Sequence, residues 1–80
     1  MKFSADNINE LNVLMLFDIT SGQEGIKIHK TAAPGAIAAA QSLFSKGFIT
    51  QVDGGYLTDL GHEAAEYTQS LYTMLNAGSE

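Results

Sequence analysis

A glycine-containing turn between two short apolar runs sets the shape of the C-terminal half of this chain. Asp53-Gly54-Gly55 separates the run 48–52 from the pair Tyr56-Leu57. Asp-Gly and Gly-Gly pairs accept the positive φ angles that tight hairpin turns require. The pattern therefore predicts a β-hairpin over residues 48–57 with its turn at Asp53-Gly54-Gly55. A two-stranded hairpin is marginally stable in water, so we expect it to pack against helices.

A first helix is predicted over residues 6–19, before the hairpin. Apolar side chains recur there at spacings of three and four residues, which is the period of an amphipathic helix. Asn7 followed by Glu10 fits a capping box, and Ser4 is the alternative N-cap residue. The polar segment 21–25, which contains two glycines, follows this helix as a loop.

Two more helices are predicted on either side of the hairpin. The second covers residues 34–46, because its proline suits the first helical turn and Gly47 suits a C-terminal stop. The third follows Thr58, a good N-cap residue, and continues to Asn76. With them we expect an α+β fold of three main helices and a short hairpin in one domain of 80 residues.

Residues 25–30 alternate between apolar and polar side chains. This alternation predicts a short strand with Ile26 and Ile28 facing the core, and the start of a short helix is the alternative. As a strand, residues 26–28 would add a third strand to the hairpin. The side chains that we expect to be buried are Leu14, Ile37, Phe44, Ile49, Leu57 and Leu60.

The absence of cysteine excludes disulfides and thiolate metal sites, and it fits a reducing compartment. The N-terminal residues lack the apolar run of a secretory signal peptide. No uninterrupted apolar stretch is longer than the five residues 13–17, far short of the ~20 residues that span a bilayer. We therefore expect a cytoplasmic protein without membrane association.

The residues that could support catalysis are few. His62 and Glu66 lie four residues apart on the predicted third helix and could share a metal ion, but zinc sites normally need three or four ligands. His29 has lysines beside it and no acid nearby in the sequence. We therefore expect neither an enzyme nor a metal site, and no cofactor.

Positive charge is concentrated in the middle of the chain. Residues 25–52 contain Lys27, Lys30 and Lys46 and no acid, although the whole chain has 9 acids and a net charge of −5. A cationic block between two acidic ones is typical of a surface that faces an anion. The predicted second helix lies inside this block.

The stretch SKGFITQVDGGYLTDLGHEAAE, residues 45–66, resembles the end of a winged-helix domain of the MarR or PadR type. The features that carry the resemblance are Lys46-Gly47, Phe48-Ile49, Asp53-Gly54-Gly55, Leu57-Thr58 and Gly61. The whole chain is also similar to a small bacterial family of about this length that is labelled as DNA-binding.

The resemblance implies a winged helix-turn-helix-like fold in which the second helix is the recognition helix and the hairpin is the wing. Only residues 26–33 remain for a supporting helix, so it is expected to be short or missing. The implied function is binding of double-stranded DNA by a small transcriptional regulator through the basic segment 27–46. The residues expected to contact DNA are Lys27, Lys30, Thr31, Gln41, Ser42, Ser45 and Lys46.

An alternative function is that of a protein-interaction module that keeps the winged-helix fold without binding DNA. The Ala-rich second helix would then pack against a partner protein rather than against a nucleic-acid backbone. The third helix has apolar residues spaced four, three, four and three apart, which is typical of a coiled-coil seam. This seam would form a homodimer or would pack on the first helix within the monomer.

Overall fold

The computed structural model describes residues 1–20 and 24–78. Within them the elements are α1 (Ala5–Leu14), β1 (Ile26–Lys27), α2 (Pro34–Ser45), β2 (Ile49–Gln51), β3 (Gly54–Leu57) and α3 (Asp59–Asn76). Three helices and a small antiparallel sheet make this an α+β fold with a winged-helix-like layout, which confirms the predicted fold class. The predicted loop over residues 21–25 lies largely outside the described residues.

The sheet has the strand order β1-β3-β2, with β3 in the middle. Ile26 pairs with Gly55, and Ile49 pairs with Leu57. The strand interpretation is therefore confirmed for Ile26–Lys27, and β1 is the third strand, but it is shorter than the predicted segment 25–30. Before α2 the chain makes a single turn, closed by a hydrogen bond from the N–H of Ala32 to the carbonyl oxygen of His29 at 2.9 Å. This turn stands where a supporting helix was expected to be short or missing.

The hairpin turn lies earlier in the chain than the sequence predicts. β2 ends at Gln51 and β3 begins at Gly54, so the turn is Val52-Asp53, and Gly54 and Gly55 belong to the strand. Both glycines have positive φ, +130° and +72°, and the register shifts between Ile49 and Gln51. A Cβ on Gly54 would collide with the carbonyl oxygen of Ile26. The glycine pair therefore serves an irregular strand and the close approach of β1.

The start of α1 is capped by Ser4. Its hydroxyl accepts the N–H of Asn7 at 3.0 Å, and the Asn7 side chain accepts the N–H of Ser4 at 3.2 Å. The predicted end of this helix at Ile19 is wrong, because α1 ends at Leu14. The side-chain amide of Gln69 on α3 donates to the carbonyl oxygen of Leu14 at 3.3 Å and thus satisfies a group that the helix end leaves unpaired.

The sequence signals at both ends of α2 are confirmed. Pro34 occupies the first turn, and the last helical residue is Ser45. Gly47 follows with a φ of +85°, and the N–H of Phe48 donates to the carbonyl oxygen of Leu43 at 2.9 Å. This is the hydrogen bond of a Schellman motif, and it directs the chain from the helix into β2.

Thr58 caps α3 as predicted, and it also ties this helix to the end of α2. Its hydroxyl accepts the N–H of Gly61 at 3.0 Å and donates to the carbonyl oxygen of Gly47 at 2.6 Å. A Cβ on Gly61 would collide with the carbonyl oxygen of Phe48, so only glycine allows α3 to approach the start of β2. No helix within the described residues is long and apolar enough to cross a membrane.

The core lies where α1, α2 and α3 meet the sheet. Its buried apolar residues are Val13, Leu14, Phe17, Ala39, Ala40, Leu43, Ile49 and Ala65. Of the side chains predicted to be buried, Leu14 and Ile49 are, and Ile37 and Leu57 are half-buried.

The prediction is wrong for Phe44 and Leu60, which are 44 % and 49 % exposed. Helix α2 turns Ala39, Ala40 and Leu43 inward, and this places Phe44, the next residue, outside. Helix α3 likewise turns Gly61 and Ala65 inward. Helix α3 thus packs closely on the core over small side chains, and its larger apolar residue Leu60 faces outward.

Candidate nucleic-acid interface

Helix α2 presents an exposed ridge between two clefts. Ala38, Gln41 and Ser45 are exposed and follow one another at spacings of three and four residues, so they share one face of the helix. We call these three residues the α2 ridge. Two of its side chains are small, so another molecule can come close to the helix backbone.

The first cleft lies between α2, the segment after β1 and the hairpin turn, and has a volume of about 600 Å³. Four of the predicted DNA-contacting residues line it: Lys27, Lys30, Thr31 and Gln41. We call it the basic cleft. Its other polar groups are His29 and Asp53, and its apolar lining is Ile28, Ile37, Ala40 and Val52.

The second cleft lies between α1 and α2, on the opposite side of the ridge, and has a volume of about 340 Å³. Ser42 and Lys46 line it, together with Glu10 of α1. We call it the α1–α2 cleft. The predicted contact residues thus occupy both sides of the ridge, and Ser45 lies on the ridge itself.

Glu10 is the buried charged residue within the described part of the chain, with only 9 % of its side chain exposed. One of its carboxylate oxygens accepts hydrogen bonds from the Lys46 ammonium at 2.6 Å and from the Ser42 hydroxyl at 2.8 Å. The other oxygen accepts one from the Asn7 side chain at 3.2 Å. Three donors therefore hold this carboxylate in its ionised form.

The pKa of Glu10 is the result of opposing effects. Burial raises the pKa of its carboxyl, whereas hydrogen bonds from Lys46, Ser42 and Asn7 and the charge of Lys46 lower it. The lowering effects are together larger, so the pKa lies below the ordinary value of a glutamate.

The remaining lysines differ in their ion pairs. The Lys27 ammonium lies 3.9 Å from the Asp53 carboxylate, and both side chains are well exposed, so this contact is weak. Lys30 forms no ion pair with any described residue. The three lysines do not converge on one surface, because Lys46 lies across the ridge from the other two.

Sequence reasoning missed Glu10 as part of the site. The buried residues Val13 and Leu14 lie three and four positions after it, so Glu10 continues the inward-facing stripe of α1. An acid inside an apolar stripe is the signal that could have identified it.

The pair of side chains that the sequence suggests for metal binding lies on α3. His62 and Glu66 lie 3.5 Å apart on α3, and about half of each side chain is exposed. Among the described residues, no cluster of three or more histidine, cysteine or acidic side chains could hold a metal ion.

Comparison with known proteins places the chain in a family. A family model described as "Family of unknown function (DUF5669)" matches residues 1–76. The chain belongs to the DUF5669 family. No curated protein and no solved structure matches it. The DUF5669 description has no DNA-binding label, so the predicted family label is not supported, and the match includes all six elements, both clefts and the ridge.

This DUF5669 chain also has an apolar surface away from both clefts. A groove of about 160 Å³ between α1 and α3 is lined mainly by Ile8, Leu11, Met15, Leu71, Tyr72 and Leu75. The end of α3 around it is exposed, with Tyr67 at 69 %, Met74 at 67 % and Leu75 at 75 %. The predicted apolar seam of the third helix is therefore largely unburied in the monomer.

Proposed function

We propose that this protein binds double-stranded DNA, with the α2 ridge in the major groove and cations on both sides of it. The observation that supports this proposal is the position of the lysines. Lys27 and Lys30 line the basic cleft, and Lys46 lines the cleft across the ridge. A major groove ~12 Å wide admits one helix and has phosphates along both edges. Lysines on both sides of the exposed face of a helix suit that geometry.

The ridge supplies the groups that face the bases in this proposal. Gln41 carries an amide of the kind that pairs with the edge of adenine. Ala38 and Ser45 are small, which lets the helix sit deep in the groove. Three lysines neutralise few phosphates, so non-specific affinity is weak near physiological salt, with a salt slope of about −0.9 per phosphate contact. The role that fits is that of a small, non-enzymatic regulator of transcription.

Binding of a random-sequence duplex at ~20 mM salt, where charges are least screened, tests the proposal. Lys30→Gln should weaken binding severalfold and make the salt slope shallower by about 1, because one phosphate contact is lost. Lys2→Gln is the matched control, because it removes the same charge from a residue that lines neither cleft. Equal loss in the two variants, or no binding by the wild type, would remove the support for this function.

A second candidate function, a protein-interaction module, is favoured by the exposed end of α3, and the partner we propose is a second copy of the chain. Residues 67–78 carry no charged side chain, so two acidic copies can meet there without repulsion. If the six large exposed side chains around the groove, Ile8, Tyr67, Leu71, Tyr72, Met74 and Leu75, each bury on the order of 100 Å², a symmetric pair buries about 1,200 Å², the lower limit for a stable interface.

Sedimentation equilibrium on the samples used for the DNA titration separates the two candidates. Self-association of the wild type that Leu75→Gln abolishes supports a homodimer through α3. Leu16→Gln is the control, since this side chain is 58 % exposed and lies outside the groove. A monomer at all concentrations would contradict the homodimer.

A further inference from the structure

We infer that Glu10 is an affinity-determining residue that competes with DNA phosphate for Lys46 and Ser42. This inference rests on the proposed function, and it adds a residue that weakens DNA binding. One Glu10 oxygen accepts hydrogen bonds from both the Lys46 ammonium and the Ser42 hydroxyl. A phosphate oxygen at the edge of a groove would use the same two donors. The carboxylate of α1 therefore occupies the position of a ligand anion on one side of the ridge.

Lys46 can leave this contact, whereas Glu10 cannot follow it. Half of the Lys46 side chain is exposed, and its flexible stem ends in an ammonium with three donors. Only 9 % of the Glu10 side chain is exposed, and Asn7 holds its second oxygen. If Lys46 moves to a phosphate, the buried carboxylate loses its counter-ion, and that loss opposes binding.

Because of this competition, the two sides of the ridge differ in how readily they bind a phosphate. In the basic cleft, Lys30 has no ion pair within the described residues. It can therefore bind a phosphate without leaving a buried carboxylate unpaired. In the α1–α2 cleft, a phosphate must displace or share the Glu10 contact. Glu10 therefore keeps the affinity for non-specific DNA low on that side, and any sequence that binds tightly must compensate with contacts to the ridge.

The variant that tests this inference is Glu10→Gln. Its amide oxygen can still accept from Ser42, and the side chain keeps its volume, so the fold should persist. Loss of the negative charge frees Lys46 for a phosphate. We expect about tenfold tighter binding of a random-sequence duplex at ~20 mM salt and a salt slope steeper by about 0.9. Circular dichroism and thermal unfolding check that the variant is folded.

Two further variants separate this effect from a general change in charge. Glu63→Gln removes one negative charge from an exposed position on α3 that forms no ion pair with a lysine within the described residues. The double variant Glu10→Gln/Lys46→Gln removes the freed ammonium, so it should lose the gain of Glu10→Gln. An equal gain in Glu63→Gln, or a gain that survives in the double variant, would overturn the inference.

Failure of the inference is distinguishable from failure of the proposed function. If the wild type and Glu63→Gln bind DNA and Glu10→Gln binds no more tightly than Glu63→Gln, the inference is wrong and the proposed function stands. If no variant binds, both are wrong. If only Glu10→Gln binds, Glu10 does oppose DNA binding, but the proposed function of the wild type is wrong.

Discussion

Glu10 couples the stability of the fold to pH. Its pKa in the folded chain lies below the ordinary value because the donors around it outweigh the effect of burial. The unfolded chain therefore binds the proton more readily than the folded chain does. The stabilisation from the ionised carboxylate is complete above the unfolded pKa of ~4.3 and is lost as pH falls through the lower, folded pKa.

The free energy of unfolding should accordingly fall less between pH 6 and pH 3 in Glu10→Gln than in the wild type. Urea denaturation across this range measures the difference, with Glu63→Gln as a control for the loss of one acid. Parallel curves for the wild type and Glu10→Gln would mean that the Glu10 contacts contribute nothing to the pH dependence.

Local signals in the sequence were sufficient to predict where most helices begin or end. Pro34 and Gly47 bracket α2, and Thr58 begins α3, because each residue acts on the backbone within one turn of its own position. The end of α1 could not be found in this way. The carbonyl oxygen of Leu14 at this end accepts a hydrogen bond from Gln69, which lies 55 residues away in the sequence.

The rotation of the helices and the full set of site residues also could not be predicted from short-range sequence patterns. Apolar spacing locates a helix, but it does not show that Gly61 and Ala65 face the core while Leu60 faces out. Four predicted contact residues do meet in the basic cleft, since β1 and α2 bring their segment together. The pairing of Lys46 with Glu10 needs the contact between α1 and α2, which no spacing along the chain encodes.

The rotation of α2 is testable by two neighbouring substitutions. Leu43 is 2 % exposed, so Leu43→Ala should lower the free energy of unfolding by about 2–5 kcal/mol through loss of burial and formation of a cavity. Phe44 is 44 % exposed, so Phe44→Ala should cost less than about 2 kcal/mol. Chemical denaturation measures both values, and the reverse order would mean that α2 is rotated.

At the scale of the whole molecule, the distribution of charge decides which partner fits. A chain with a net charge of −5 can approach DNA only through a surface where cations are concentrated. The α2 ridge meets this requirement with cations on both of its sides, Lys27 and Lys30 in one cleft and Lys46 in the other, and it lies apart from the uncharged end of α3. The proposed DNA contact and the proposed homodimer therefore use different surfaces of the molecule, and a dimer would double the number of phosphate contacts.

NMR can map the surface of this protein that contacts DNA. A ¹⁵N-labelled sample is titrated with a random-sequence duplex at ~20 mM salt, and changes in the backbone amide signals are followed. A DNA contact through the α2 ridge should cause the largest changes in residues 27–31 and 37–46, which line the basic cleft, form the ridge and supply part of the α2 side of the α1–α2 cleft. No change at any position, or changes confined to Ile8, Leu71 and Leu75 in the apolar groove, would contradict it.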